Sequence, residues 1–356
     1  MKAGIFDPYL DTLGGGERYC LSLAEILLEK NWQVDLFWRD KAIKKKLIER
    51  FGLKLEKVNF VNYSPAKLTP FQRKSFEEQY HLLFYISDGS LPFMFGKRNF
   101  LHFQVPFKNI SKKGIIGFLK LKRIEKIICN SFFTKKVIDQ NLGTDSVVVY
   151  PPVDIDLIKP LKKENLILCV GRFSQLLQNK RQDVLVEAFK KMINSGAANN
   201  WRLTLAGGSE IGGKEFVSQL KKMAGGYPIE IIENPPLERL LKLYGKAKIY
   251  WGAAGFGIDE EKEPEKVEHF GISTVEAMAA GCVVVVQAKG GQKEIVENRK
   301  NGFLWKTEKE IISLTSRLLK ETKLMQQISQ SAMLRSKTFT KKRFGEEICR
   351  LIDNEN

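Results

Sequence analysis

The chain has 356 residues, 43% hydrophobic and 10% aromatic, more than one core comfortably holds and enough for two globular domains of roughly 150 residues each. Its net charge of +17 is concentrated between Lys41 and Lys136, where 21 Lys and Arg meet 6 Asp and Glu, a local net of +15. That block suits nucleic acid, anionic lipid or anionic ligands, or is simply a lysine-rich soluble surface.

Several classes are excluded at once. No run approaches the ~18 continuous apolar residues of a membrane span, and the opening Met1–Asp7 reads as a strand rather than a signal peptide. The five cysteines (Cys20, Cys129, Cys169, Cys282, Cys349) are scattered, with no CxxC pair. They support neither a disulfide framework nor a zinc site, and a reducing cytoplasm is the expected setting.

In chain order, short apolar runs alternate with helical patterns. The expected strands of the first half are Ala3–Phe6, Gln33–Trp38, Val58–Asn62, Leu82–Ile86, Asn99–Phe103, Lys126–Cys129 and Ser146–Tyr150. Those of the second half are Leu166–Val170, Arg202–Ala206, Ile229–Ile232, Lys248–Trp251 and Cys282–Val286. Most lack clean alternation, as strands buried on both faces of a parallel sheet do. Helical spacing marks Glu17–Glu29, Arg181–Ile193, Lys214–Met223, Leu237–Tyr244, Thr274–Ala280 and a basic C-terminal stretch, Thr340–Ile352. Two rounds of alternation predict an α/β protein of two doubly wound, Rossmann-like domains. The prolines at 151 and 152 end the first half and stiffen the exit. The expected boundaries are 1–158, 159–335 and a C-terminal helix over 336–356 that can cross back to the first domain.

Chemistry concentrates in Glu268–Gly281. Glu268 and Glu276 flank a glycine turn that opens a helix, so two carboxylates stand beside a helix N-terminus able to receive phosphate. Ser273 and Glu276 also have the spacing of a capping box, which would make them helix punctuation. The nearby Gly255-Phe256-Gly257 resembles the same turn, but Ala254 and Lys262 stand where the acids belong, and the acidic stretch Asp259–Glu265 reads as an insertion. Arg172 follows the strand Leu166–Val170, and Lys180 precedes the next helix; strand ends of this kind bind ligands in doubly wound folds. A guanidinium and an ammonium there suit a diphosphate, although either could be a solvated surface cation.

Leu13-Gly14-Gly15-Gly16-Glu17-Arg18 is a glycine loop between the first strand and helix, neither a P-loop nor a GxGxxG fingerprint. His102 ends an apolar strand, placed either to bond a substrate hydroxyl or to be satisfied by backbone. His269 is read as shaping its turn. Lys289–Glu294 is another glycine turn at a strand end. The segment Ile110–Arg123, which includes Lys112 and Lys113, mixes lysines with bulky apolar residues and fits either an anionic membrane surface or an amphipathic helix packed on the sheet.

Taken together, Gly14–Lys30, Asn130–Lys135, Val170-Gly171-Arg172 through Lys180, Glu268–Glu276, Gly290-Gly291 and Asn301-Gly302-Phe303 are collinear with a known pattern. The chain resembles the retaining glycosyltransferases of family 4, with the GT-B fold, and Glu268–Ile272 is similar to the mannosyltransferases of lipid-linked oligosaccharide assembly. The acidic stretch 255–267 departs from the commonest family pattern. The resemblance implies two Rossmann-like domains facing across a cleft, the first for acceptor and the second for donor. It implies that Arg172 and Lys180 bind the donor diphosphate and that Glu276 holds the ribose. Glu268 would face the donor sugar, with Phe270, Gly271 and Ile272 offering backbone contacts. Gly15 and Gly16 would close on the diphosphate, and His102 would line the acceptor side. No metal and no cofactor is implied beyond a nucleoside diphosphate sugar as co-substrate.

The function expected is transfer of a hexose, mannose being favoured, to a glycan or lipid-linked acceptor of the cell envelope, by a metal-independent enzyme placed in the cytoplasm or peripherally on the inner face of the membrane. An epimerase-like sugar-nucleotide enzyme and a basic nucleic-acid-binding protein are the alternatives. No RNA- or DNA-binding motif is visible.

Overall fold

A computed structural model describes residues 1–12, 14–111, 114–175, 178–209 and 213–353. Leu13 of the glycine loop and Lys112 and Lys113 of the basic-apolar segment lie outside the described residues.

The chain divides into two compact units, Met1–Pro152 with Lys341–Asn356, and Val153–Thr340. The seam therefore falls at Pro152, six residues before the expected boundary at 158.

In the first unit β1 (Lys2–Phe6), α1 (Gly15–Glu29), β2 (Gln33–Phe37), α2 (Ile43–Phe51), β3 (Asn59–Val61), α3 (Pro70–Glu77), β4 (Leu82–Ile86), β5 (Arg98–Phe103), α4 (Gly114–Arg123), β6 (Lys126–Cys129), α5 (Phe132–Leu142) and β7 (Val147–Val148) follow one another. The seven strands form one parallel sheet in the order β3-β2-β1-β4-β5-β6-β7. β4 is buried at every position, which explains its unbroken apolar run.

In the second unit β8 (Glu164–Val170), α6 (Gln182–Asn194), β9 (Arg202–Gly207), α7 (Gly213–Ala224), β10 (Ile229–Glu233), α8 (Leu237–Lys246), β11 (Ala247–Gly252), α9 (Ile272–Ala279), β12 (Val283–Gln287), α10 (Gln292–Ile295), β13 (Phe303–Trp305), α11 (Glu308–Lys320) and α12 (Thr322–Ser336) build a six-stranded parallel sheet, β10-β9-β8-β11-β12-β13. Each sheet starts centrally, winds one way for three strands, then returns to the other side of its first strand. The reversal points, between β1 and β4 and between β8 and β11, are where doubly wound folds open a crevice at the strand carboxyl ends.

The last helix, α13 (Lys341–Asp353), belongs to the first unit. Phe344, Ile348 and Ile352 recur every four residues and are buried in the core cluster that holds Leu23, Leu27 and Val34. Lys30 bonds Asp353 at 2.7 Å, Lys341 pairs with Glu25, and Arg98 donates to the Leu351 carbonyl at 3.0 Å. Three buried apolar side chains, at about 1.5–3 kcal/mol each, hold the helix more firmly than the exposed Lys30–Asp353 pair does.

Candidate functional site

The second unit brings Arg172, Lys180, Glu268 and the start of α9 to the carboxyl end of its sheet, at the β8/β11 reversal. Arg172 leaves β8 two residues after its end and is exposed. Gln182, fully buried, donates to the Arg172 carbonyl at 3.1 Å and so fixes the chain as it turns into α6. Lys180 reaches across to Glu268, with Nζ 2.7 Å from Oε2 and only 17% and 12% of the two side chains exposed. Burial alone would push the Glu268 carboxyl up. The Lys180 ammonium, assisted by His269 and Arg172, outweighs that and holds it below the usual carboxylate range.

α9 begins at Ile272, two residues before the expected Thr274, and Gly271 is its N-cap, with φ 117°. A side chain there is disfavoured by the backbone, and a Cβ would also meet Gln292 Nε2 at 2.8 Å. The alternative reading as a capping box is not realised, since Gly271 and not Ser273 is the N-cap. Ser273 Oγ instead bonds the Tyr250 hydroxyl at 2.8 Å, and Glu276 accepts from the Tyr244 hydroxyl at 2.8 Å. No side chain caps α9, and the N–H groups of Ile272 and Ser273 make no hydrogen bond among the described residues. The helix therefore presents unused donors and the positive end of its dipole.

The turn of Glu268 is supported from behind. Gly291 N–H donates to the Glu268 carbonyl at 2.8 Å, and His269 Nε2 lies 3.1 Å from the Glu265 carbonyl. A Cβ at Gly290, where φ is 55°, would stand 2.1 Å from the Glu268 carbonyl oxygen. The Lys289–Glu294 turn thus acts as a backbone-on-backbone brace. The acidic stretch is strapped to the same brace: Glu260 accepts from Gly290 N–H and from Lys293 Nζ, both at 2.7 Å. Arg181 donates to the Phe256 carbonyl at 2.9 Å, and the Phe256 ring packs on Trp305.

In the first unit, Gly15 opens α1 and Gly14 caps it, with Glu17 accepting the Gly14 N–H. A Cβ on Gly16 would stand 2.3 Å from Gln104 Oε1, the end of a side chain just past β5, which would have to swing aside. Ser131 caps α5 by accepting from Thr134 N–H at 3.0 Å, and Asn130 donates to the Gln104 carbonyl at 2.9 Å.

His102 has the geometry of the second of its two readings. It is fully buried, stacked on Tyr19 at 3.9 Å and near Phe84, with Nδ1 3.1 Å from the Ile128 carbonyl. Burial pushes its pKa down to about 3, so the ring is neutral, and its Nε2 is buried without a hydrogen-bond partner among the described residues.

Four groups around these turns escaped sequence reasoning. Tyr244 and Tyr250 orient Glu276 and Ser273; in sequence they stood only as parts of the helical stretch Leu237–Tyr244 and the run Lys248–Trp251. Asp7 and Glu17 are buried beside the glycine loop, where Asp7 accepts from Tyr9 N–H at 2.9 Å and from Cys20 Sγ at 3.2 Å. Burial pushes Asp7 up to about 6, and burial together with the Asp7 charge pushes Glu17 up to about 7. A carboxylate directly after the run Ala3–Phe6 was the available signal.

The profile of the family "Glycosyl transferases group 1" matches residues 155–335, just over half of the chain. A GDP-Man:Man(3)GlcNAc(2)-PP-Dol alpha-1,2-mannosyltransferase of Xenopus laevis is 31% identical over 175 residues, 44% of this chain and 33% of that protein. The Dictyostelium discoideum protein of the same description is 27% identical over 233 residues, 60% of this chain and 43% of that protein. The chain thus spans less than half the length of these curated relatives. Among solved structures, Anabaena HepE in complex with UDP matches with a TM-score of 0.76 at 19% identity over the whole of both chains. A glycosyltransferase from Rickettsia africae matches with a TM-score of 0.76 at 16% identity over 99% of each. These likenesses show the GT-B fold, two parallel-sheet α/β units.

Proposed function

Because the chain belongs to the glycosyl transferases group 1 family, we propose that it moves a hexose, mannose being favoured, from a nucleoside diphosphate sugar to a glycan or lipid-linked acceptor, retaining the anomeric configuration as family 4 enzymes do. The observation that carries this reading is the Lys180–Glu268 pair set beside the uncapped start of α9 at the β8/β11 reversal. A cation, an acid and free backbone donors converge where the fold accepts ligands.

The roles follow from chemistry. Arg172 and Lys180 bind the diphosphate; an ammonium has three donors, so Lys180 serves Glu268 and a phosphate oxygen together. The N–H groups opening α9, with the backbone of Phe270, Gly271 and Ile272, receive the remaining phosphate and sugar oxygens. Glu276, held by Tyr244, accepts from the ribose hydroxyls. Glu268 orients the donor sugar hydroxyls and stabilises positive charge at the anomeric carbon as the bond to diphosphate breaks. Charge growing on the departing diphosphate meets fixed cations and dipoles, so no metal or further cofactor is needed for that step. The leaving phosphate takes the acceptor proton. In the first unit, the opening of α1 at Gly15 and Gly16 offers backbone donors to substrate. The mannosyl donor and lipid-linked acceptor of the curated relatives favour GDP-mannose and a carrier-linked acceptor.

A thermal-shift screen of nucleoside diphosphate sugars tests the reading. The true donor at about 100 times its Kd adds ~2.7 kcal/mol of stability, and proton NMR of the product reports the anomer. Glu276→Ala should slow transfer about 100-fold, the size of a lost transition-state contact. Stabilisation by no sugar nucleotide, or wild-type turnover in Glu276→Ala, overturns the assignment.

A further inference from the structure

α4 turns its bulky residues the wrong way for a packed surface helix. Gly117 is its one buried residue, and Leu121 and Ile124 lie partly buried against the core of the first unit. Ile115, Ile116, Phe118 and Leu119 instead face solvent, 79%, 61%, 64% and 47% exposed. Surface helices ordinarily bury that stripe, and single exposed apolar residues are common where a contiguous group of four is not.

The cations follow immediately. Lys120, Lys122 and Arg123 fill the last turn. Arg123 is fixed by the carbonyls of Met94 at 3.2 Å and Gly96 at 3.1 Å, and Lys120 lies 5.5 Å from the Phe93 ring centroid. Neither Lys120 nor Lys122 forms an ion pair among the described residues. On the other side of this loop Arg73 of α3 donates to the Phe93 carbonyl, and α3 exposes Phe71 by 81%. Phe76 of α3 and Leu121 of α4 pack on one cluster, so both helices share a face of the first sheet.

We infer that this face docks the protein on an anionic lipid bilayer, with Ile115, Ile116, Phe118 and Leu119 entering the boundary between headgroups and acyl chains and the lysines of α4 binding headgroup phosphates. The cores of protein interfaces are depleted of charge. A helix that follows bulky apolar residues with lysines within one turn has the composition of an interfacial helix. Lys120 and Lys122 of α4 and Lys74 of α3 select anionic lipid over neutral lipid. The inference deepens the proposed function, because it rests on the reading that the acceptor is carried by lipid.

Co-sedimentation of the full chain with vesicles of phosphatidylcholine alone, or of phosphatidylcholine with phosphatidylglycerol, tests it. The chain should bind the anionic vesicles and not the neutral ones, and added salt should release it. Ile116→Ser with Phe118→Ser should lower partitioning about tenfold or more, as should Lys122→Glu, which changes two charge units at an exposed position. If the serine pair alters the melting profile, the lysine variant carries the test alone. Absence of binding, equal binding to both vesicles, or variants that bind like the parent overturn the inference. A parent dimer that the serine pair converts to monomer, with vesicle binding unchanged, assigns the face to a second copy and also overturns it. Thermal shifts with sugar nucleotides, read in parallel, separate the two ideas: loss of the donor shift with vesicle binding intact defeats the proposed function alone.

Discussion

Replacing Lys180 by Met removes the ammonium but keeps most of the stem that packs beside Gly171. Glu268 then stays largely buried without its cation. With 17% and 12% of the two side chains exposed and 2.7 Å between the charges, the pair counts as buried, and breaking one partner costs about 3–5 kcal/mol. At about 2–4 °C per kcal/mol for a unit of this size, the melting temperature should fall by roughly 10 °C. Adding Glu268→Gln to Lys180→Met leaves no unpaired charge and should recover more than half of the loss, which a double-mutant cycle by circular dichroism measures.

The pH dependence gives an independent sign. The folded Glu268 titrates below its unfolded value, so the pair's stability is present above about pH 4.3 and is lost as the pH falls through the folded value. The gap between parent and Lys180→Met should therefore close in acid. On the proposed function, Lys180→Met also slows transfer about 100-fold. A variant melting within about 2 °C of the parent at neutral pH would mean that water already serves Glu268, and the electrostatic account of the site would fail.

Tyr244→Phe removes the 2.8 Å bond to Glu276 and should raise the donor Kd roughly tenfold by titration calorimetry, with no additional effect in a Glu276→Ala background; an unchanged Kd denies Tyr244 its positioning role. Gly290→Ala puts a methyl 2.1 Å from the Glu268 carbonyl at a positive φ and should cost about 2–4 kcal/mol in urea unfolding. Gly52→Ala, at φ 65° with open space around it, should cost only about 1–2 kcal/mol; equal losses would show that the brace yields. Glu17→Gln keeps an acceptor for the Gly14 N–H. The raised carboxyls of Asp7 and Glu17 mean that the folded chain holds protons the unfolded chain releases, so stability falls as the pH rises from about 4 to about 7. Glu17→Gln should then match the parent at about pH 4 and be more stable by about 3 kcal/mol at pH 8; identical melting curves at both pH values contradict the buried-acid account.

Much of this molecule was legible as pattern. The runs Leu82–Ile86 and Lys126–Cys129 are the strands as written, because a strand buried on both faces must be continuously apolar. The short β13 and helices α2, α3, α5, α11 and α12 were not expected; three residues are too few for a period, and each of these helices buries at most three residues, too few for a clear stripe. The Glu268–Glu276 segment was legible because a glycine turn, a helix start and two acids are local in sequence. His102 was left with two readings because a polar residue at a strand end reads the same whether a ligand or the Ile128 carbonyl satisfies it, and its burial and the Ile128 contact favour the second.

The sequence by itself determined two rounds of strand and helix, a seam at the paired prolines, and the acids, cations and glycines of the candidate site, since each depends on neighbours within a few positions. Only the tertiary structure decided that Lys180 meets Glu268 across 88 residues, that Tyr244 rather than a capping box holds Glu276, that α13 packs in the first unit, and that α4 exposes its apolar side. Those outcomes depend on which surfaces close against one another, and periodicity along one segment carries no record of the face it will meet.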